Sequence, residues 1–346
     1  MANETKNDIL MLIKNHPLLS SKEINDRLDV KIAYATVKRT LNRLIDEELV
    51  ITEGQGKATK YLISPSYELL FPIDVESYFK QEQDERTIRD SFNLLLITKT
   101  LQNAHLFTKE ELQHLEVLHE KFKKNIAGLS ATEYSKEQER LAIDLSWKSS
   151  QIEGNTYSLL ETERLLKEKE TAQGKPKDDA TMLLNHKEAI NFVIEHPDYV
   201  VPLTVRGIED IHSLLIRDLG VDRNIRKRRV GVTGTNYRPL DNEHQIREAL
   251  GDMCTLINEK EVVFEKALLA LALLSYIQAF EDGNKRTARI VSNAILIGHG
   301  YCPLSFRTVD SVEYKKAMLI FYEQNNISVF KRIFISQYEF AVNTYF

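Results

Sequence analysis

The chain has 346 residues, 42% hydrophobic and 28% charged, with 13 Gly, 8 Pro and a formal net charge of -5. That composition suits a globular protein of roughly two or three domains and excludes disordered, collagenous and small disulfide-scaffold chains. The longest apolar stretch, Ala267 to Phe280, is broken by Ser275 and Gln278 and falls short of the roughly 18 to 20 residues a membrane span needs. The start, MANETKNDIL, is acidic and amide-rich where a signal peptide needs a basic then apolar block, so a cytoplasmic chain with no membrane partner is expected. Cys254 and Cys302 lie in unrelated surroundings without metal-site spacing and read as buried thiols.

Residues 1–66 read as three helices and a hairpin. Ile9, Leu10, Leu12 and Ile13 stripe the first helix, which stops before Pro17 because the ring disfavours helical geometry in the residue ahead of it. Ser20 and Glu23 form a capping-box pattern that opens the second helix. A third helix runs to about Glu47, with Val37, Leu41 and Leu44 inward and Tyr34, Lys38, Arg39, Asn42 and Arg43 outward. LVITEGQGKATKYLI then alternates around Gly54 and Gly56, which predicts a hairpin with Lys57 and Lys60 near its tip. This order resembles the winged helix-turn-helix family. The resemblance implies that the third helix enters the major groove of double-stranded DNA and the hairpin lies on phosphates, through Tyr34, Lys38, Arg39, Asn42, Arg43 and Lys57. Residues 1–66 hold ten Lys+Arg against nine Asp+Glu, so DNA contact would rest on a local cationic face. A dimerisation or docking module is the other reading of this unit.

Residues 67–100 form a connecting segment, and the charges from Lys80 to Asp90 predict a solvated helix. From 101 to 346, apolar residues recur at helical spacing in segment after segment, the most apolar being Val263 to Phe280. One stretch differs: Arg228 to Arg238, RRVGVTGTNYR, alternates around Gly234 as a lone hairpin. The expected fold is therefore mainly α, a helical bundle with a small β-hairpin flap behind an N-terminal winged helix-turn-helix.

Between the helix ending at Phe280 and the one starting near Thr287 lies EDGNKR. Backbone amides at a helix N-terminus, with Gly283 allowing close approach, form an anion site. Asp282 at its mouth suits a divalent cation, and Lys285, Arg286 and Arg289 add positive charge. Taken singly, the arginines also fit a solvated helix face and Asp282 an N-terminal cap.

Together, QAFEDGNKRTAR resembles the Fic family signature, H-x-F-x-[DE]-G-N-[GK]-R-x-x-R, at every named position except the first. SSQIEG at 149–154 is similar to the family's inhibitory motif, so the resemblance spans about residue 100 to the C-terminus. It implies transfer of AMP from ATP to a hydroxyl of a target protein. In that reading Asp282 binds Mg2+ between phosphates, and Gly283, Asn284 and Lys285 form an anion hole. Arg286 and Arg289 hold the distal phosphates, with Asn284 and Arg286 in the catalytic set. Val232, Thr233, Gly234 and Thr235 of the flap align the target. Glu153, beside Gly154 and fixed by Ser149, pairs with Arg289 and displaces the γ-phosphate. Lys285 also occurs in the related Doc toxins, which act as kinases, and this leaves a second chemistry open.

The signature's histidine, which takes the proton of the attacking hydroxyl, is Gln278 here. An amide is not basic at neutral pH, yet it can orient a hydroxyl. The chain is then a slow transferase, an ATP-sensing pseudoenzyme or an inactivated form of an active protein. From another class, a DNA-binding regulator that responds to ATP without catalysis fits the same modules. The target, the adenine pocket and any homodimer are not readable.

Overall fold

The structure, a computed structural model, describes residues 2–346; the side chains of residues 2–4 and of Lys57 lie outside the described set, and with them the sequence reading of Lys57. Helices α1 (Ala2–Asn15), α2 (Ser21–Arg27) and α3 (Tyr34–Asp46) close over Ile9, Ile13, Ile24, Val37, Leu41 and Leu44. Ser20 Oγ accepts from the Glu23 amide while the Glu23 carboxylate accepts from the Ser20 amide, which fixes where α2 begins. Strands β1 (Val50–Glu53) and β2 (Lys60–Ile63) pair antiparallel with Val50 opposite Ile63. A bridge from Leu19 to Tyr61 covers the other edge of β2. The wing turns at Gly54 with φ 79°, where a Cβ would stand 2.6 Å from Ala58 O, so glycine is required there.

Two single-turn helices follow, α4 (Tyr67–Leu70) and α5 (Val75–Tyr78). The charged stretch after them is not the solvated helix its composition predicts. Residues 79–93 run as turns and extended backbone laid across the C-terminal body. Tertiary contacts override the local pattern: Arg89 N–H donates to Glu323 O, Arg238 N–H donates to Asp90 O, both at 2.8 Å, and Arg86 is buried.

The C-terminal body is helical: α6 (Lys109–Ala127), α7 (Ala131–Ile152), α8 (Leu159–Glu168), α9 (Lys177–Glu195), α10 (Val205–Leu215), α11 (Glu243–Glu259), α12 (Val263–Ile277), α13 (Asn284–Gly298), α14 (Ser311–Gln324) and α15 (Ser328–Thr344). Helix α12 is apolar on nearly every side and lies at the centre, packed chiefly along α13. Among the described residues no helix is long and apolar enough to cross a membrane. Cys254 and Cys302 are free and buried. The mainly α expectation stands, with one correction. Residues 228–238 form no hairpin ladder: a turn at Thr233–Gly234 joins two arms without β-pairing between them. Arg238 instead bridges in parallel to Ser91. The alternation instead follows burial on the second arm, where Thr235 and Tyr237 turn inward and Asn236 and Arg238 outward.

Candidate active site

Helix α12 ends at Gln278, whose φ is 52°, and α13 begins after Gly283, whose φ is 76°. A Cβ on Gly283 would meet Ile216 Cγ2 at 3.1 Å and His212 Cε1 at 3.3 Å, so both conformation and space select glycine. The Asn284 side chain braces the turn between them. Phe280 N–H donates to Asn284 Oδ1, and Asn284 Nδ2 donates to Phe280 O, both at 2.8 Å. Phe280 stacks on His212, ring centroids 3.6 Å apart, and pins the turn to α10. Gly283 offers no capping side chain. Among the described residues, the amides of Asn284, Lys285 and Arg286 have no main-chain acceptor. Three unpaired N–H groups at the positive end of a helix make an anion cradle.

Arg286 and Arg289 are 1% and 0% exposed, which rules out a solvated face. Arg286 is tied to Asp282 at 2.9 Å, leaving its Nε and one terminal nitrogen buried without partners. Arg289 donates from Nε to Ser149 Oγ at 2.7 Å and from Nη2 to Ser149 O at 2.9 Å and Glu153 Oε1 at 2.8 Å, and its other terminal nitrogen is likewise unpaired. Unpaired guanidinium nitrogens in an interior are costly unless an acceptor arrives, and polyphosphate is such an acceptor. Ser149 therefore grips the arginine and not Glu153, as the sequence reading had it. Burial pushes the Glu153 carboxyl up, but the opposing charges of Arg289 and Lys285 outweigh it and hold the group below its ordinary range. Lys285 Nζ stands 3.5 Å from Glu153 Oε2.

These residues surround a cavity of about 550 Å³. Gln278, Asp282, Gly283, Asn284 and Lys285 form its floor, Glu153 one wall, and Val232, Thr233 and Gly234 the opposite rim. Arg286, Arg289 and Ser149 lie behind the floor. Gly154, with φ 102°, ends α7 after Glu153, and Thr235 is buried, its hydroxyl accepting from the Tyr237 amide at 3.1 Å. Gln278 Nε2 donates to Ser275 O at 2.6 Å, and the main-chain carbonyl of Gln278 accepts from Arg226 Nε at 2.5 Å. Buried Arg226 was not singled out from the sequence, although RNIRKRR contains it. Nor were Lys315, Met318 and Leu319, which line the remaining wall with Tyr314 and Tyr322. Tyr314, Met318 and Tyr322 recur every four residues on one face of α14, a signal that core packing explains equally well.

On the N-terminal unit Tyr34, Lys38, Arg39, Asn42 and Arg43 are all exposed on α3. Arg43 is paired to Glu47 at 2.9 Å.

Residues 202–296 match the Fic/DOC family, and residues 4–121 match the penicillinase repressor family. The chain therefore carries a Fic/DOC domain behind a winged-helix repressor domain. Among curated relatives, the protein adenylyltransferase Fic of Nematostella vectensis is 30% identical over 177 residues, 49% of this chain and 40% of that protein. The protein adenylyltransferase fic-1 of Caenorhabditis elegans is 27% identical over 176 residues, 47% of this chain and 33% of that protein. This chain thus spans less than half of either relative. Two solved structures share the fold at 20% identity. Fic-1 of C. elegans gives a TM-score of 0.59 over 68% of this chain and 71% of that one. A Fic domain containing signaling protein from Bacteroides thetaiotaomicron gives 0.56 over 66% and 94%.

Proposed function

We propose that the chain is a Fic-type protein adenylyltransferase, moving AMP from ATP to a hydroxyl of a protein target, held off by Glu153 and slowed by Gln278. One observation carries this reading: the anion cradle, Asp282 and Glu153 line a single cavity, and the two buried arginines with unpaired nitrogens are tied to it, Arg286 through Asp282 and Arg289 through Glu153. Transfer at phosphorus needs positioning and charge stabilisation more than covalent chemistry from the protein. The free amides at the start of α13, from Asn284 onward beside Gly283, would hold the α-phosphate, Arg286 and Arg289 the distal ones, and the flap the target segment. Asp282 would hold magnesium, which would supply positive charge to offset that of the phosphates. Among the described residues no three His, Cys, Asp or Glu side chains cluster to hold a metal, and the single carboxylate of Asp282 suits an ion that arrives with the nucleotide. Asp282 would then exchange Arg286 for the metal and free that guanidinium for phosphate. Gly283 stands where the Doc toxins typically carry Ala, which favours adenylyl transfer over the Doc-type kinase reading.

Gln278 favours a second reading, an ATP-sensing DNA-binding regulator without catalysis. Its amide nitrogen is committed to Ser275 O, so it supplies no base and at most an acceptor oxygen toward the cavity. Labelled ATP separates the two. With the label on the α-phosphate, a protein band in lysate supports adenylyl transfer, and a γ-label band points to kinase chemistry. Binding of Mg-ATP with no band in any background supports the regulator.

A further inference from the structure

The cavity's flap rim has no ladder of its own, so something else must hold it. Among the described residues, no amide from Lys227 to Asn236 donates to a backbone carbonyl. The holding contacts come from residues 79–93. Arg86 donates to Gly234 O at 2.7 Å and lies 3.5 Å from Glu323 Oε1 on α14. Its guanidinium sits over the Phe79 ring at 5.2 Å. Glu323 is fully buried and accepts from Tyr78 Oη at 2.6 Å, so the arginine is the partner its charge requires. Gly234 itself, with φ 87°, approaches Leu319 so closely that a Cβ would stand 3.3 Å from Leu319 Cδ1. Arg86 therefore clamps the flap tip to α14, the helix that forms another wall of the same cavity. Gln83 and Asp84 grip Asn236 at 2.7 and 2.8 Å, and Asp90 pairs with Arg238.

We infer that Arg86 is a positioning residue for the target: the strap of residues 79–93, part of the segment that connects the two domains, fixes the flap against which a protein segment would lie. The inference rests on the adenylyl-transfer reading for its purpose, but the clamp itself is independent of that reading. Arg86 does not line the cavity, so its removal should loosen the flap and leave nucleotide binding intact. The guanidinium donates to a backbone carbonyl while its charge faces the Glu323 carboxylate at ion-pair distance, a combination that an ammonium on a flexible stem reproduces less well.

The test is amide hydrogen exchange on the full chain, with Mg-ATP binding measured in a Glu153→Gly background. Arg86→Ala should raise exchange of the 230–236 amides roughly tenfold or more, with exchange in α12 and α13 unchanged, and Arg86→Lys should recover part of the protection. Mg-ATP affinity should stay within about twofold, well under the tenfold that 1.4 kcal/mol represents. Because Arg86→Ala strands buried Glu323, the pair Gln83→Ala and Asp84→Ala, on a half-buried and an exposed side chain, provides a second route to the same loosening. Unchanged flap exchange in both variants, or a tenfold loss of ATP affinity, overturns the inference. If the transferase reading alone is wrong, no labelled protein band appears in any background while flap exchange still responds.

Discussion

Arg289 and Glu153 lie 2.8 Å apart, the carboxylate on the cavity lining and the guanidinium fully buried behind it. Burial penalises the charge of Arg289, but Tyr314 and Glu153 together raise its proton affinity. A phosphate entering here must displace the carboxylate from the arginine and from Lys285. Glu153→Gly removes that competitor and leaves the Ser149 contacts that orient the guanidinium. Mg-ATP affinity by calorimetry is expected to rise about tenfold, in line with one charge-assisted hydrogen bond exchanged. An unchanged dissociation constant sinks the competitive account.

Gln278 occupies the left-handed end of α12, where Arg226 and Ser275 fix it. Restoring an imidazole there supplies the base that the amide lacks. In the Glu153→Gly background, Gln278→His is expected to increase transfer of α-labelled phosphate to protein by roughly 10²- to 10⁴-fold. The rate should then fall below about pH 6.5 as the imidazole protonates. If the parent chain labels protein and Gln278→His does not, Gln278 is itself the working residue.

The sequence made the loop between α12 and α13 legible because its chemistry is local: the glycine, the amides and the arginines lie within one turn and one helix. The capping box of α2 and the apolar run of α12 were equally local. What sequence left hidden was built by distant contacts. Arg86 reads as one charge in a polar stretch until Gly234 and Glu323 are brought to it. The flap's alternation was real, but its partner was Ser91, more than a hundred residues upstream. Ser149 looked like support for the nearby Glu153 until the fold turned it toward Arg289.

His212 is buried against Phe280, and its Nδ1 lies 3.2 Å from Thr287 Oγ1. Burial lowers its pKa to about 4, only partly opposed by a hydrogen bond involving the Asp222 backbone. The unfolded chain binds this proton near pH 6.5, and the folded chain does not until about 4. Stability from His212 is therefore complete above the unfolded value and is lost as pH falls from 6.5 to 4. A shift of this size corresponds to roughly 3 kcal/mol. Urea unfolding of the parent and of His212→Phe should show the variant gaining on the parent by about that amount between pH 7 and 4. A pH-independent gap between them contradicts the neutral, buried imidazole.

Gly283 combines positive φ with two contacts that a methyl group would crowd. Gly283→Ala should cost roughly 1 to 2 kcal/mol in stability from the backbone alone. It should also displace the first amides of α13 and weaken Mg-ATP binding in the Glu153→Gly background by more than about tenfold. Gly154→Ala makes the control. Gly154 also has positive φ but nothing within 4 Å of its Cβ position. Its stability loss should be similar, with no comparable loss of affinity. Equal affinity losses at the two sites would falsify the anion-cradle assignment.

The cations of α3 are not equivalent. Lys38 stands 5.7 Å over the Tyr34 ring with no ion pair among the described residues, whereas Arg43 is paired to Glu47. Arg39, Asn42 and Arg43 also line a cleft whose far wall carries Thr108, Glu110, Glu111 and Lys331 from the C-terminal body. Acidic side chains opposite the end of α3 repel a phosphate backbone, so DNA would be met at the Tyr34 and Lys38 end. In fluorescence titrations against duplex DNA, Lys38→Ala should lower the slope of log affinity against log salt by about one, the signature of one lost phosphate contact. Arg43→Ala should change it by clearly less, because that guanidinium must first leave its carboxylate. The opposite ranking would place the DNA over the cleft and require the two domains to separate before binding.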